Sequence, residues 1–171
     1  MISKHLKTFS NINILKFKMD GIDEQAIIAS YSINPYSADH MNNQDSYFTS
    51  YSFVTRGIHE YYTYKAIEMN FIKAFEKIFG EFEIIGIRIK PDSVVYTEYQ
   101  NFLAFQHDFE LSLREDTQLN FLIDELGMVL HGNFDLIMSL YQYLERNDRH
   151  DVFMNLLREN NLFINEVKIS E

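Results

Sequence analysis

Residues 58–90, IHEYYTYKAIEMNFIKAFEKIFGEFEIIGIRIK, change their hydrophobic period part-way along, and that change decides the fold class. Over the first two thirds, Tyr64, Ile67, Phe71, Ala74, Phe75 and Ile78 recur at helical spacing, while Lys65, Glu68, Lys73, Glu76 and Lys77 fall off the stripe. This predicts an amphipathic helix from about Ile58 to Phe79, with Gly80 as its C-terminal cap. From Phe82 the pattern alternates, with Ile85, Ile87 and Ile89 on one face until Pro91 stops the run. That is a strand. A long helix leading directly into a strand calls for a layered α and β architecture.

Upstream, Ile12–Met19 and Gln25–Ile33 are β-rich runs joined around Gly21, which predicts a hairpin. Residues 34–45, NPYSADHMNNQD, are rich in turn formers and read as a loop. In 47–54, Tyr47, Thr49, Tyr51 and Phe53 alternate with Phe48, Ser50, Ser52 and Val54, so a strand is expected there before Gly57. Residues 93–114 fit two readings: SVVYTEY has strand chemistry, yet Val95, Tyr99, Phe102, Gln106 and Phe109 follow a helical track.

The remainder is expected to be mostly helical. Thr117 would cap a helix burying Leu119, Leu122, Ile123, Leu126 and Leu130, closed by Gly132. A second would run from Phe134 to Arg146 with Leu136, Ile137, Leu140, Tyr141 and Leu144 inward. Asp148 would cap a third carrying Val152, Phe153, Leu156 and Leu157, and LFINEVKI (162–169) would return as a strand. The expectation is one α+β domain over 1–171: an antiparallel or mixed sheet of about 4–5 strands, helices on one face, and a helical C-terminal half.

The chain has 171 residues, 46% of them hydrophobic, enough to fold around a sizeable core. With no cysteine, disulfides, zinc–thiolate sites and thiol nucleophiles are excluded. No stretch approaches ~20 consecutive apolar residues, so no membrane-spanning helix is expected. Residues 1–20 lack the apolar core of a signal peptide, and a cytoplasmic protein is expected. Glycines occur singly, with no phosphate-binding loop and no serine-hydrolase elbow, so no cofactor is expected.

Charge is the most directive feature. The net value is −10, spread as +3 over 1–20 (four bases, one acid), −3 over 21–90 (six and nine) and −10 over 91–171 (five and 15). Such a field repels nucleic acid and anionic lipid and attracts basic partners. The lysines at 4, 7, 16 and 18 are too few to reverse that for nucleic acid, and edge-strand protection explains them.

Three functional readings follow. The first is an inhibitor that neutralises a basic protein by direct binding, with steering acids and aromatic anchors. In size, acidity and lack of catalytic motifs the chain resembles bacterial immunity proteins directed at nuclease toxins. The residues assigned to the interface are Glu115, Asp116, Asp124, Glu125, Asp135, Asp148 and Asp151, with Tyr47, Tyr51, Tyr61 and Tyr62. Tyr61 and Tyr62 precede the helix's inward stripe and are the two phenols expected to face solvent.

The second reading is a metal-dependent hydrolase. His107-Asp108 and His150-Asp151 are His-Asp pairs. His59, His107-Asp108 and Asp135 or Asp151 resemble the ligand pattern of the HD superfamily of metal-dependent phosphohydrolases, a resemblance that implies a bound metal and an all-helical fold, and the site of this reading would be His107, Asp108, His150 and Asp151. A zinc-protease pair is excluded at His59-Glu60, because no second histidine follows at the required spacing. His131 and Asp135 flank Gly132 and are assigned to a cap or loop. The third reading is a structural or regulatory subunit that self-associates through an aromatic face. The inhibitor reading is preferred, and the oligomeric state is left open.

Overall fold

A computed structural model of the chain describes residues 27–37, 57–90, 93–114, 116–117, 119–132 and 136–167. Within them the chain runs β1 (Ala29–Asn34), α1 (Ile58–Glu81), β2 (Ile85–Lys90), β3 (Ser93–Glu98), α2 (Phe102–Leu113), β4 (Asn120–Ile123), a 3-10 turn (Asp124–Leu126), β5 (Met128–Gly132), β6 (Met138–Gln142), α3 (Asp148–Arg158) and β7 (Phe163–Val167). The strands form one sheet in the order β3-β2-β4-β5-β6-β1-β7. Every neighbouring pair is antiparallel. The α+β class holds, and among the described residues the sheet has seven strands rather than four or five.

The helices share one face of this sheet. Tyr64, Phe71, Phe75 and Ile78 of α1, Phe105, Phe109 and Leu113 of α2, and Phe153, Met154 and Leu157 of α3 form a single core with Ile33, Phe121, Ile123, Met128, Leu130, Met138 and Leu140. Phenylalanine does most of the filling. Phe75 and Phe109 lie 4.4 Å apart between ring centroids, and Phe105 and Phe109 lie 5.2 Å apart. Truncating rings packed this closely costs about 3–5 kcal/mol each.

On the other face, Ile85, Ile87, Leu122, Val129 and Tyr143 are buried in a second cluster that contains no helical residue. All four residues of β4 are therefore buried, Phe121 and Ile123 towards the helices and Leu122 away from them.

This two-sided burial overturns the helical C-terminal half. Residues 117–130, expected as one helix, contain β4, the 3-10 turn and the start of β5; residues 134–146 contain β6. A strand covered on both faces reads as a continuous apolar run, whose leucines fall on helical spacing as readily as on alternation. Gly127 settles the geometry locally. It takes φ 57° after the 3-10 turn, where a Cβ would lie 2.3 Å from Leu144 Cγ, and it reverses the chain into β5.

The ambiguous stretch 93–114 holds both candidates in succession, β3 and then α2, whose N-cap Asn101 accepts from the Ala104 amide. Gly80 is not a cap either: α1 continues through Glu81 and ends at Phe82. The expected strands at 12–19 and 47–54 lie outside the described residues, as does the stretch 38–45 of the expected loop.

Candidate functional site

Three short segments converge at the C-terminal end of α1. Asn147 caps α3, accepting from the Arg149 amide at 3.0 Å, and forms a reciprocal capping box with His150. Asn147 N–H donates to His150 Nδ1 at 3.1 Å, and the ring's Nε2 donates to the Leu126 carbonyl at 2.9 Å. The Leu126 carbonyl requires a proton on Nε2, and Nδ1 also lies 3.0 Å from Asn147 Oδ1. Burial, which penalises the charged ring, lowers the His150 pKa. His150 thus ties the start of α3 to the 3-10 turn that carries Asp124 and Glu125.

Arg149 completes the junction. Its Nη2 donates to the Glu81 carbonyl at 2.7 Å, and its guanidinium lies 3.4 Å from Glu125, 3.5 Å from the Glu81 carboxylate and 4.3 Å from the centroid of the Phe82 ring. Arg146 pairs with Asp151, with Nε 3.0 Å from Oδ1. Both arginines are therefore engaged within the chain.

Glu81, Glu125 and Asp151 touch these arginines, and Glu83, Asp124, Glu145 and Asp148 lie within two residues of the groups that form the junction, seven carboxylates in all. Seven acids against Arg146 and Arg149 leave −5, half of the net charge of the whole chain, at one corner. All but Asp124, which is half-buried, are exposed. Asp148 and Glu145 form no ion pair among the described residues.

The aromatic candidates sit at the opposite end of the same helix. Every residue from Ile58 to Thr63 is exposed, Ile58 at 80%, Tyr61 at 38% and Tyr62 at 68%. The rings of Tyr61 and Tyr62 meet edge to face at 5.9 Å. One turn on, Tyr64 is buried and its hydroxyl donates to the Leu113 carbonyl. Asp116 lies just beyond the end of α2 at this same end of the molecule and is exposed. From Tyr62 to Glu81 the helix rises about 28 Å.

The interface residues chosen from sequence therefore divide. Asp124, Glu125, Asp148 and Asp151 come together at the corner, while Tyr61, Tyr62 and Asp116 gather at the far end. Tyr47, Tyr51, Glu115 and Asp135 lie outside the described residues.

The His-Asp pairs do not converge. His107 and His59 are exposed on α2 and α1. Asp108 accepts from the Tyr99 hydroxyl at 3.0 Å, His150 uses both ring nitrogens, and Asp151 is paired with Arg146. Among the described residues no group of three His, Asp or Glu side chains could hold a metal ion. His131 is not a cap: it lies in β5 opposite Asn120 of β4, with Nδ1 2.7 Å from Oδ1, and burial lowers its pKa.

One polar cluster escaped the sequence reading. Glu68, placed off the apolar stripe, is 2% exposed. Arg114 grips it with both nitrogens, Nε to Oε1 at 2.6 Å and Nη2 to Oε2 at 3.0 Å, and Lys65 adds a further contact. Arg114 also reaches Glu110 at 2.6 Å, so four charges clamp the N-terminal half of α1 to the end of α2. Spacing held the signal, because Glu68 follows Tyr64 by four residues and precedes Phe71 by three.

Among the described residues no helix is long and apolar enough to cross a membrane. Comparison with protein-family models, with curated proteins and with solved structures finds no match.

Proposed function

We propose that this chain is a binding protein whose acidic corner captures a basic protein, in the manner of a cytoplasmic immunity protein that neutralises a basic nuclease toxin. The observation that carries this reading is the −5 excess at the junction of α1, the 3-10 turn and α3. Acids that serve only solubility need no common framework. Here the helix cap, the His150 bridge and the Arg149 junction hold the backbone beneath them, so little ordering entropy remains to be lost on binding. Converging carboxylates focus the field, raise the encounter rate with a cation and disfavour nucleic acid and anionic lipid.

Tyr61 and Tyr62, with Asp116, are proposed as a second contact for a partner broad enough to span α1. Tyrosine supplies large contact area with a polar tip, the chemistry of an interface anchor. Catalysis, a metal and a cofactor have no part in this reading.

Co-expression tests it. Producing this chain alongside the product of the open reading frame directly upstream is expected to restore growth of a host that product inhibits. The double variant Glu125→Lys/Asp148→Lys, still folded by circular dichroism, is expected to lose the rescue. A chain that neither binds that product nor relieves its toxicity contradicts the proposal.

A further inference from the structure

Strand β7 closes one edge of the sheet. Its inner side pairs with β1, from Ser30↔Val167 to Asn34↔Phe163, and among the described residues no strand lies on its outer side. Such an edge presents unpaired N–H and C=O groups. The strand sequence FINEV contains no proline, and Phe163 and Val167 are 42% and 47% exposed on the face away from the helices.

The chain reaches β7 from α3 by a tight reversal, with Asn161 at φ 58°. Leu162 and Ile164 join the core formed by Phe153, Met154 and Leu157, so α3 runs back over β7 in the opposite direction. Arg158 therefore stands by the Phe163 end of the strand. Asp151 stands by the Val167 end, where its partner Arg146 also feels the charge of Glu166. Arg158 bonds the Asn155 side chain at 3.1 Å, and neither it nor Glu166 forms an ion pair among the described residues.

We propose that β7 pairs antiparallel with β7 of a second copy of this chain, about a two-fold axis perpendicular to the sheet and midway between the two Asn165 residues. Only the register centred on Asn165 pairs all five residues. It sets Phe163 opposite the second copy's Val167 on one face, Ile164 opposite its Glu166 on the other, and the two Asn165 side chains together on the axis. The Phe163–Val167 pair, aromatic against β-branched, is favourable and occurs twice, and no like charges are directly opposed. The same rotation carries Arg158 of each copy to the Val167 end of the other, where Arg146 offsets Asp151 and the charge of Glu166 is left to meet it, twice per dimer.

Among the described residues the product is a continuous sheet of fourteen strands, seven from each copy, with α1, α2 and α3 of both on one side. Glu166 then has two roles: it discourages indiscriminate pairing at the edge and rewards the one register that brings an arginine to it. The inference stands apart from the partner reading, since it rests on backbone pairing along β7 and meets the acidic corner only at its margin, at Asp151.

Sedimentation equilibrium of the full chain tests it. An interface this small sits at the weak end of specific association, so between about 5 and about 500 μM the average mass is expected to rise from 20.3 kDa towards twice that value. Arg158→Glu and Glu166→Arg should each weaken the dimer about tenfold, and the double swap should recover it. Asn165→Lys, which sets two ammonium groups face to face on the axis, should leave a folded monomer. A chain that stays monomeric throughout overturns the proposal. So does a dimer indifferent to Asn165→Lys, or a double swap no better than either single one.

Discussion

Glu68 occupies a position that helical spacing reserves for the core, and its charge survives there because two cations come with it. Removing the carboxylate leaves Arg114 and Lys65 facing a partly dry cavity without a counter-charge, and breaking a buried pair costs more than the pair itself contributes. Glu68→Ala is expected to lower stability by about 2–4 kcal/mol in urea denaturation, and Glu68→Gln, which keeps the shape, by less. A loss under about 0.5 kcal/mol would show that the clamp contributes little. His150 shows the same tension for a titrating group. Its folded pKa is lowered, so acid protonates the unfolded chain first: its contribution is complete above the ordinary histidine pKa of about 6.5 and fades as the pH falls below it. His131 acts in the same direction. Between about pH 6.5 and pH 5, above the carboxylate range, the urea midpoint should therefore drop, and the His150→Gln variant should be less stable at pH 7.5 with a shallower drop. A midpoint that climbs on acidification would contradict this account.

Among the elements, α1 and β2 were legible in the sequence because their large apolar residues keep a single period, helical in α1 and alternating at Ile85 and Ile87 in β2. The strands β4, β5 and β6 were not. Asn120–Ile123 is buried on both sides, and Leu136, Ile137, Leu140, Tyr141 and Leu144 satisfy helical spacing while Met138 and Leu140 supply the alternation that the fold uses. Pairing with distant neighbours decides such cases, and a single sequence does not display it. The end of α1 departs from the sequence expectation for a related reason. Gly80 resembles a cap, yet it lies inside the last turn, exposed, with nothing within 4 Å of where a Cβ would stand. Gly80→Ala should therefore stabilise the protein by about 0.5–1 kcal/mol, as helix propensity dictates. Were Gly80 the left-handed cap read from the sequence, the same substitution would cost about 1 kcal/mol or more in the same denaturation experiment.

At the scale of the molecule, the sequence reading located the charge in the second half of the chain but not where it would gather. Glu81 and Glu83, from the first half, join Asp124, Glu125, Glu145, Asp148 and Asp151 only because antiparallel pairing brings the 3-10 turn, α3 and the end of α1 together. The tyrosines that seemed natural companions of those acids lie a helix length away. A partner drawn by charge alone meets the corner, and one that also needs aromatic anchors must reach across the helical layer. Calorimetric titration with the purified product of the upstream open reading frame, for the unaltered chain and for Glu125→Lys/Asp148→Lys, tests the central claim most directly. Raising salt from about 50 to about 300 mM is expected to weaken binding of the unaltered chain at least tenfold, and the corner variant is expected to bind weakly at both. Equal affinity for the two proteins, or binding indifferent to salt, would contradict it.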